Sequence, residues 1–249
     1  MNKLKNKVAL VTGASKGIGV SIARHLAAEG ATVIVNYASS KEGALRTVAA
    51  ITALGGEAVA LQGDFSRPAD IARVFAEIRE RFGRLDVLVN NAGVYSFGPI
   101  EQVTAEEFHR QFDLNVLGVL LATGEATKLM GAGGSIINIG SAVGSMPPAY
   151  SAIYSATKGA VDNITISLSK ELGPRKIRVN ALNPGLVATE GGAAAGNNEG
   201  SFAEAAIKAT PLGRIGVPDD IGPVAAFLAS DDAQWVTGQR LMVSGGTTW

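Results

Sequence analysis

Seven short, β-branched apolar runs recur along the chain, separated by longer segments with helical periodicity. The runs are Val8–Val11, Thr32–Asn36, Glu57–Gln62, Asp86–Val89, Ser135–Ile139, Ile177–Leu182 and Arg240–Val243. Several are apolar without alternation, the pattern of strands covered on both faces of a parallel sheet. Between them, Ile71, Val74, Phe75, Ile78 and Phe82 form an amphipathic helical stripe. Thr104-Ala105-Glu106-Glu107 has the form of a capping box ahead of Phe108 and Phe112. Ala152 to Leu172 reads as a helix ended by Gly173-Pro174, and Pro218-Asp219-Asp220 opens another that carries Ile221, Val224, Ala225 and Leu228. Strand–helix alternation over the whole length predicts an α/β fold with a doubly wound, mostly parallel sheet and helices on both faces.

No linker, charge run or repeat divides the chain, so all 249 residues are expected to form one domain. Lys+Arg and Asp+Glu both number 22, and this balance lacks the basic excess that nucleic acid or an anionic membrane surface selects. The expected partners are a small molecule and further copies of the chain. Cysteine is absent, which excludes disulfides, thiolate catalysis and zinc–thiolate sites. The basic start is followed by only Val8-Ala9-Leu10-Val11, too short for a signal core, and no apolar run approaches the ~18 residues of a membrane span. A cytoplasmic protein is expected. Residues 191–200 carry almost no side chain to pack; they read as a mobile segment, either part of a lid over a site (about 186–210) or a permissive surface loop.

Ligands of open α/β sheets bind beyond the carboxyl ends of the strands. Four runs end there in glycine and polar residues: Thr12–Gly19, Asn90-Asn91-Ala92-Gly93, Gly140-Ser141 and Asn183-Pro184-Gly185. In the first, Gly13 permits a tight turn, Gly17 lets the backbone approach a pyrophosphate, and Gly19 allows close helix–strand contact. The alternative is a glycine-rich turn; its place between the first strand and a helix favours nucleotide binding. The second strand ends at Asn36-Tyr37-Ala38-Ser39 without the acidic residue that hydrogen-bonds the ribose of NAD. Lys16 sits where an ammonium could meet a 2′-phosphate, unless it is simply a solvated lysine. Both features favour NADP(H). No arginine follows Tyr37, which leaves NAD(H) open as a second cofactor.

Tyr154 and Lys158 lie at i and i+4, on one face of a helix. A lysine cation near a phenol stabilises the phenolate and lowers its pKa from ~10, which makes the pair a sensible general acid/base. Two surface residues would have the same spacing. Ser141, at the ligand edge thirteen residues earlier, could hold a carbonyl or alcohol oxygen beside the phenol.

With these residues the chain resembles the short-chain dehydrogenase/reductases over essentially its whole length. Thr12–Gly19 is similar to the family's T-G-x-x-x-G-x-G loop, Asn90-Asn91-Ala92-Gly93 to its N-N-A-G signature, and Asn115, Ser141, Tyr154 and Lys158 to its catalytic set. The resemblance implies a seven-stranded Rossmann-type sheet. It also implies roles: Tyr154 exchanges a proton with the substrate oxygen, Lys158 lowers its pKa and binds the nicotinamide ribose, and Ser141 orients the substrate. Asn115 interrupts its helix to hold a water in a proton relay. Implied cofactor contacts are Gly13, Ser15, Lys16, Gly17, Ile18, Gly19, Tyr37, Ala38, Ser39, Asp64, Phe65, Asn91, Ala92, Gly93, Tyr154, Lys158, Pro184, Gly185, Val187 and Thr189. Asp64-Phe65 would meet adenine, and Asn183-Pro184-Gly185 with Thr189 the nicotinamide carboxamide. No metal is required; His25 and His109 lack ligand spacing. Hydride transfer is the cofactor's chemistry.

The expected activity is reduction of a ketone to a secondary alcohol, and the reverse. Ala142, Val143, Met146, Pro147, Pro148, Ile153, Tyr95 and Phe97 suggest an apolar slot. The alternatives are a 3-oxoacyl-carrier-protein reductase or a sugar dehydrogenase, and beyond those a non-catalytic cofactor sensor. The helix after Asn115 offers Lys128 as its only base up to Met130, with Arg175 as a further contact, a poor face for an acidic carrier protein. A homotetramer is expected, paired through the helices after Asn115 and Ala152 and, at a second interface, through Arg240–Val243 and Trp249.

Overall fold

The computed structural model describes residues 2–247 apart from Ala195 and Asn197. Trp249 and parts of the 191–200 segment therefore lie outside the described residues. Seven strands form one sheet: β1 (Val8–Val11), β2 (Thr32–Tyr37), β3 (Glu57–Gln62), β4 (Val87–Asn90), β5 (Ser135–Ile139), β6 (Arg178–Pro184) and β7 (Arg240–Val243). Their order is β3-β2-β1-β4-β5-β6-β7, every pair parallel. The strand order reverses between β1 and β4, the switch point at which open α/β sheets bind ligands.

Alternate residues of each strand face opposite layers. Ala9, Val11, Val33, Val35, Val87, Val89 and Ile137 pack against α1 (Gly17–Ala28), α2 (Lys41–Thr52) and α9 (Pro218–Ala229). Leu10, Ile34, Leu88, Ile136 and Val179 pack against α3 (Pro68–Phe82), α5 (Gly118–Thr127) and α6 (Ala152–Leu172). This double covering explains the continuous apolar runs: β1 and β4 are buried at every position. Burying each large aliphatic side chain stabilises the fold by roughly 1.5–3 kcal/mol, so Leu10, Ile22, Ile34, Leu88 and Ile136, all fully buried, specify the sheet strongly.

Local signals set the helix ends. Pro68 stands in the first turn of α3, and Gly83 closes it with φ +70°. In α4 (Ala105–Phe112) the Thr104 hydroxyl accepts the Glu107 N–H at 3.1 Å. The Glu107 carboxylate does not return the capping-box bond; it takes Ser96, Arg110 and Gln111 instead. Between α4 and α5 the chain makes a π-turn over Asp113–Leu117. Far from being a plain loop, the glycine- and alanine-rich segment folds into α7 (Glu190–Ala194) and α8 (Gly200–Ala209), as its many alanines allow. Among the described residues no helix is long and apolar enough to cross a membrane, and no cluster of metal-ligating side chains occurs. His25 bonds Ser21, and His109 faces Asp113.

Candidate active site

The loops after β1 and β4 interlock across the switch point. Thr12 is the clasp: its hydroxyl donates to Val89 O and accepts the N–H groups of Asn91 and Ala92, both at 2.9 Å. Asn91 Nδ2 returns to the carbonyls of Thr12 and Gly13 at 2.8 and 3.1 Å. Gly13 and Gly17 have φ of +63° and +59°, and a Cβ on Gly13 would lie 2.9 Å from Ala92 Cα. A Cβ on Gly19 would lie 2.6 Å from Asn91 Nδ2 and 2.7 Å from Gly13 O, atoms of the loops beyond β4 and β1. Asn36 is the buried strut beneath: its Oδ1 accepts the Gly13 N–H at 3.1 Å and its Nδ2 bonds Leu61 O and Gly63 O.

This cradle has the features a dinucleotide needs. The first N–H groups of α1 have no partner within the helix, and the N-cap, Lys16, makes no side-chain cap. Lys16 is exposed and has no ion pair among the described residues, beside half-buried Ser15, while Tyr37 ends β2 and Ala38 and Ser39 follow it. Asp64 is half-buried with Oδ1 held by Ser66, whereas the Phe65 side chain turns inward, 6.5 Å from the ring of Phe75. For an adenine, Phe65 therefore offers backbone only. Pro184 ends β6, Gly185 N–H bonds Val243 O at 3.1 Å, and Val187 is buried and bridged to Gly216. Thr189 packs its methyl 3.3 Å from where a Gly17 Cβ would be, and its hydroxyl accepts the Gly192 N–H.

At the neighbouring strand ends the structure brings Ser141, Tyr154 and Lys158 together. Ser141 follows β5, and its hydroxyl stands near enough to the Tyr154 phenol to favour the ionised form. Tyr154 is half-buried, with Tyr95 and Phe97 rings at 5.7 and 5.9 Å from its own. Lys158 is buried; its Nζ donates to Ile139 O at 2.8 Å and stands 5.8 Å from the Tyr154 ring centroid. Asn115, in the π-turn, joins this group indirectly. Its side chain bonds both the N–H and the carbonyl of Val94 and donates to Thr157 Oγ1 at 3.1 Å, and Thr157 in turn bonds Tyr154 O. Its Oδ1 also lies 3.2 Å from where a Gly93 Cβ would be.

The electrostatics depart from the sequence expectation. Burial pushes the Tyr154 phenol up to about 12, against the nearby Ser141 hydroxyl, which favours its ionised form. Burial likewise lowers Lys158 to about 8, with the nearby Asp162 carboxylate pulling the other way. In these surroundings the lysine does not bring the phenol below its ordinary range; desolvation outweighs a cation whose hydrogen bond goes to Ile139. The tyrosine is thus a proton donor at neutral pH, and Lys158 is the group near its transition.

Spacing also missed Asp162, one turn beyond Lys158. It is buried, accepts Asn183 Nδ2 at 3.0 and 3.1 Å, and has Arg240 at 4.0 Å. Burial raises its pKa while Asn183, Arg240, Lys158 and Ser145 oppose the rise. It ties α6 to the ends of β6 and β7. The i,i+4 step from Lys158 was the signal that could have found it.

A family model described as enoyl-(acyl carrier protein) reductase matches residues 13–248. The chain is 58% identical over 247 residues to an uncharacterized oxidoreductase of Methylorubrum extorquens, covering 99% of each. It is 39% identical over 255 residues to a probable tetrahydroxynaphthalene reductase of Zymoseptoria tritici, covering 98% of this chain and 95% of that one. The angucycline C-6 ketoreductase LanV, solved with bound NADP, superimposes with a TM-score of 0.93 at 36% identity, covering 99% and 97% of the two chains. The expected resemblance and the doubly wound parallel fold are both borne out, and the chain belongs to the short-chain dehydrogenase/reductase family of oxidoreductases.

Proposed function

We propose that this chain is an NADP(H)-dependent ketoreductase that converts a ketone with apolar or aromatic substituents to a secondary alcohol, and runs the reverse reaction. The observation that carries the reading is the grouping of Ser141 and Tyr154 with Lys158 one turn on, beside the cradle of Gly13, Gly17 and Gly19. The solved relative LanV holds NADP, and the unpaired Lys16 is a suitable partner for the 2′-phosphate. The bound nicotinamide supplies the hydride to the carbonyl carbon.

The chain's own residues do the rest. Gly13, Gly17 and Ile18 hold the pyrophosphate, and Pro184, Gly185, Val187 and Thr189 border the nicotinamide. Ser141 donates to the substrate oxygen and fixes it beside Tyr154. Tyr154, protonated at neutral pH, gives its proton to that oxygen as charge develops on it. Lys158, in its charged form, favours the phenolate left behind. Asn115 holds the Val94 backbone and, through Thr157, the start of α6; a relay water beside it is what the family resemblance implies. Tyr95 and Phe97, exposed by 36% and 46%, make an aromatic wall near the phenol. Such a wall suits a planar substituent better than a polyol. Lys128 is paired with Glu125 at 2.6 Å and Arg175 donates to Thr127 O, so neither observation favours docking of an acidic carrier protein. The segment 186–210 serves as the lid.

We also infer a homotetramer. Phe108, Leu117 and Leu120 on α4, the π-turn and α5 expose about two-fifths of their surface, as does Met242 on the edge strand β7. Two isologous pairings through these faces give D2 symmetry. The decisive experiment is an NADPH-oxidation screen against aromatic ketones, sugars and an acyl-carrier substrate. Turnover of aromatic ketones is expected; turnover confined to sugars or acyl carriers would refute the substrate class, and none at all the enzyme reading.

A further inference from the structure

One contact in the phosphate cradle belongs to the chain itself. The Glu190 carboxylate reaches 173 residues back in sequence to accept the Gly17 N–H at 2.9 Å. Gly17 is the first residue of α1, so this N–H has no partner within the helix and stands at the positive end of its dipole. Glu190 is exposed, so the bond is not forced by burial. Two features hold the carboxylate there. Thr189 packs directly over Gly17, and Glu190 opens α7, whose Gly192 N–H is capped by the Thr189 hydroxyl. Asn198 Nδ2 bonds Thr189 O at 3.0 Å and pins the following stretch to the same residue.

We propose that Glu190 is an internal competitor for the cofactor's pyrophosphate: its carboxylate takes the Gly17 N–H at the mouth of α1 and must leave for the dinucleotide to seat. This inference rests on the cofactor reading above. Two anions cannot share one helix N-terminus without repulsion, so the carboxylate and a phosphate are alternatives. The structure also offers the displaced side chain a place to go. An open cleft of about 240 Å³ adjoins the contact, lined by Gly17, Ser21, Arg24, Glu190, Pro218 and Asp219. Asp219 is already engaged by Ser21 Oγ at 2.6 Å, whereas Arg24 makes no ion pair among the described residues. Arg24 is therefore the cation that receives Glu190. Because Glu190 begins α7 and the lid continues from it, the swing couples the pyrophosphate seat to the lid. Cofactor affinity is set partly by the strength of this internal bond.

The test is equilibrium titration of wild type, Glu190→Gln and Arg24→Ala, with NADPH as the probe and adenosine 2′-monophosphate, which lacks the pyrophosphate, as the control. Glutamine keeps the shape and removes the charge. Glu190→Gln should bind NADPH roughly five- to tenfold tighter, the difference between a charged and a neutral acceptor on one N–H, with the control ligand unchanged. Arg24→Ala should bind NADPH about two- to threefold more weakly, the scale of an exposed ion pair. Equal or weaker NADPH binding by Glu190→Gln overturns the competition. An equal gain for the control ligand also overturns it, since the effect would then be general charge. Unchanged binding by Arg24→Ala overturns the role of Arg24. Absence of NADPH binding in all three proteins overturns the cofactor reading itself.

Discussion

Replacing Lys158 by methionine should make the protein more stable at neutral pH while turnover disappears. The ammonium is buried, and burial takes its pKa from an ordinary 10.5 to about 8. At ~1.4 kcal/mol per pKa unit, keeping it charged at pH 7 costs about 3 kcal/mol. Methionine has a similar length and needs no solvation. Against that gain, Ile139 O loses the donor now at 2.8 Å, worth ~1–3 kcal/mol if nothing replaces it. A net gain of about 1 kcal/mol is expected, or roughly 2–4 °C in Tm for a chain of this size. The effect has a pH signature. A lysine whose folded pKa lies below its unfolded value leaves the unfolded chain holding more protons between about 8 and 10.5, so wild-type stability rises across that window. The advantage of Lys158→Met is therefore full below pH 8 and shrinks towards pH 10.5. Denaturant unfolding of both proteins at pH 7 and pH 10, without added cofactor, measures it. A methionine variant less stable than wild type at pH 7, or a difference that is the same at both pH values, would refute the reasoning.

Tyr154→Phe should fold and bind NADPH normally but lose nearly all turnover, and Ser141→Ala should lower kcat with little effect on cofactor binding; near-normal turnover in Tyr154→Phe would remove the proposed proton donor. The rate of ketone reduction should fall above about pH 8, as Lys158 loses its proton, and not at the far higher pKa of Tyr154. NADPH should be preferred to NADH in kcat/KM, and Lys16→Ala should erase most of that preference; equal values in wild type would count against it. Gly118→Ala should destabilise by about 1–3 kcal/mol, because its Cβ would lie 2.4 Å from Phe65 O, a backbone atom that cannot step aside; unchanged denaturation would contradict the packing. Light scattering in dilute buffer should return four times the monomer mass, and the monomer mass alone would end the tetramer reading.

Most of the frame was legible because the strands are short apolar runs closed by glycine, asparagine or proline. Six of seven strands begin and end within a residue of the expected bounds, and β6 runs on to Pro184, since Asn183 and Pro184 still pair with β7. Gly13 and Gly19 stand where a Cβ has no room, and Gly13 has φ +63° in the turn the sequence suggested. Desolvation was not legible. The i,i+4 spacing puts Lys158 beside Tyr154 but says nothing of Ile139 O, which takes its hydrogen bond, or of the burial that lifts the phenol. Nor does sequence show which way a side chain turns at a strand end: Phe65 goes into the core and Asn36 under the glycine loop. Glu190 escaped because its partner is far away in the chain, and no local pattern announces such a pair.

The π-turn at Asp113–Leu117 bears on how this region can change length. A π-turn holds one residue more than an ordinary helical turn, and each residue rotates the helix beyond it by about 100°. Val119, Ala122 and Ala126 are buried on one side of α5 while Leu120 stays outside. Removing one residue here would restore regular winding and leave Val119, Ala122 and Ala126 inside, because the extra residue is wound into the π-turn and is not passed on to α5 as a rotation. The irregular turn thus works as an absorbed insertion: it carries Asn115, which reaches Val94 and Thr157, without changing which face of α5 is buried. A single-residue deletion between Phe112 and Gly118 would cost the bulge that carries Asn115, and a further insertion would turn α5 out of register with the core, whereas surface loops elsewhere can lengthen with little consequence.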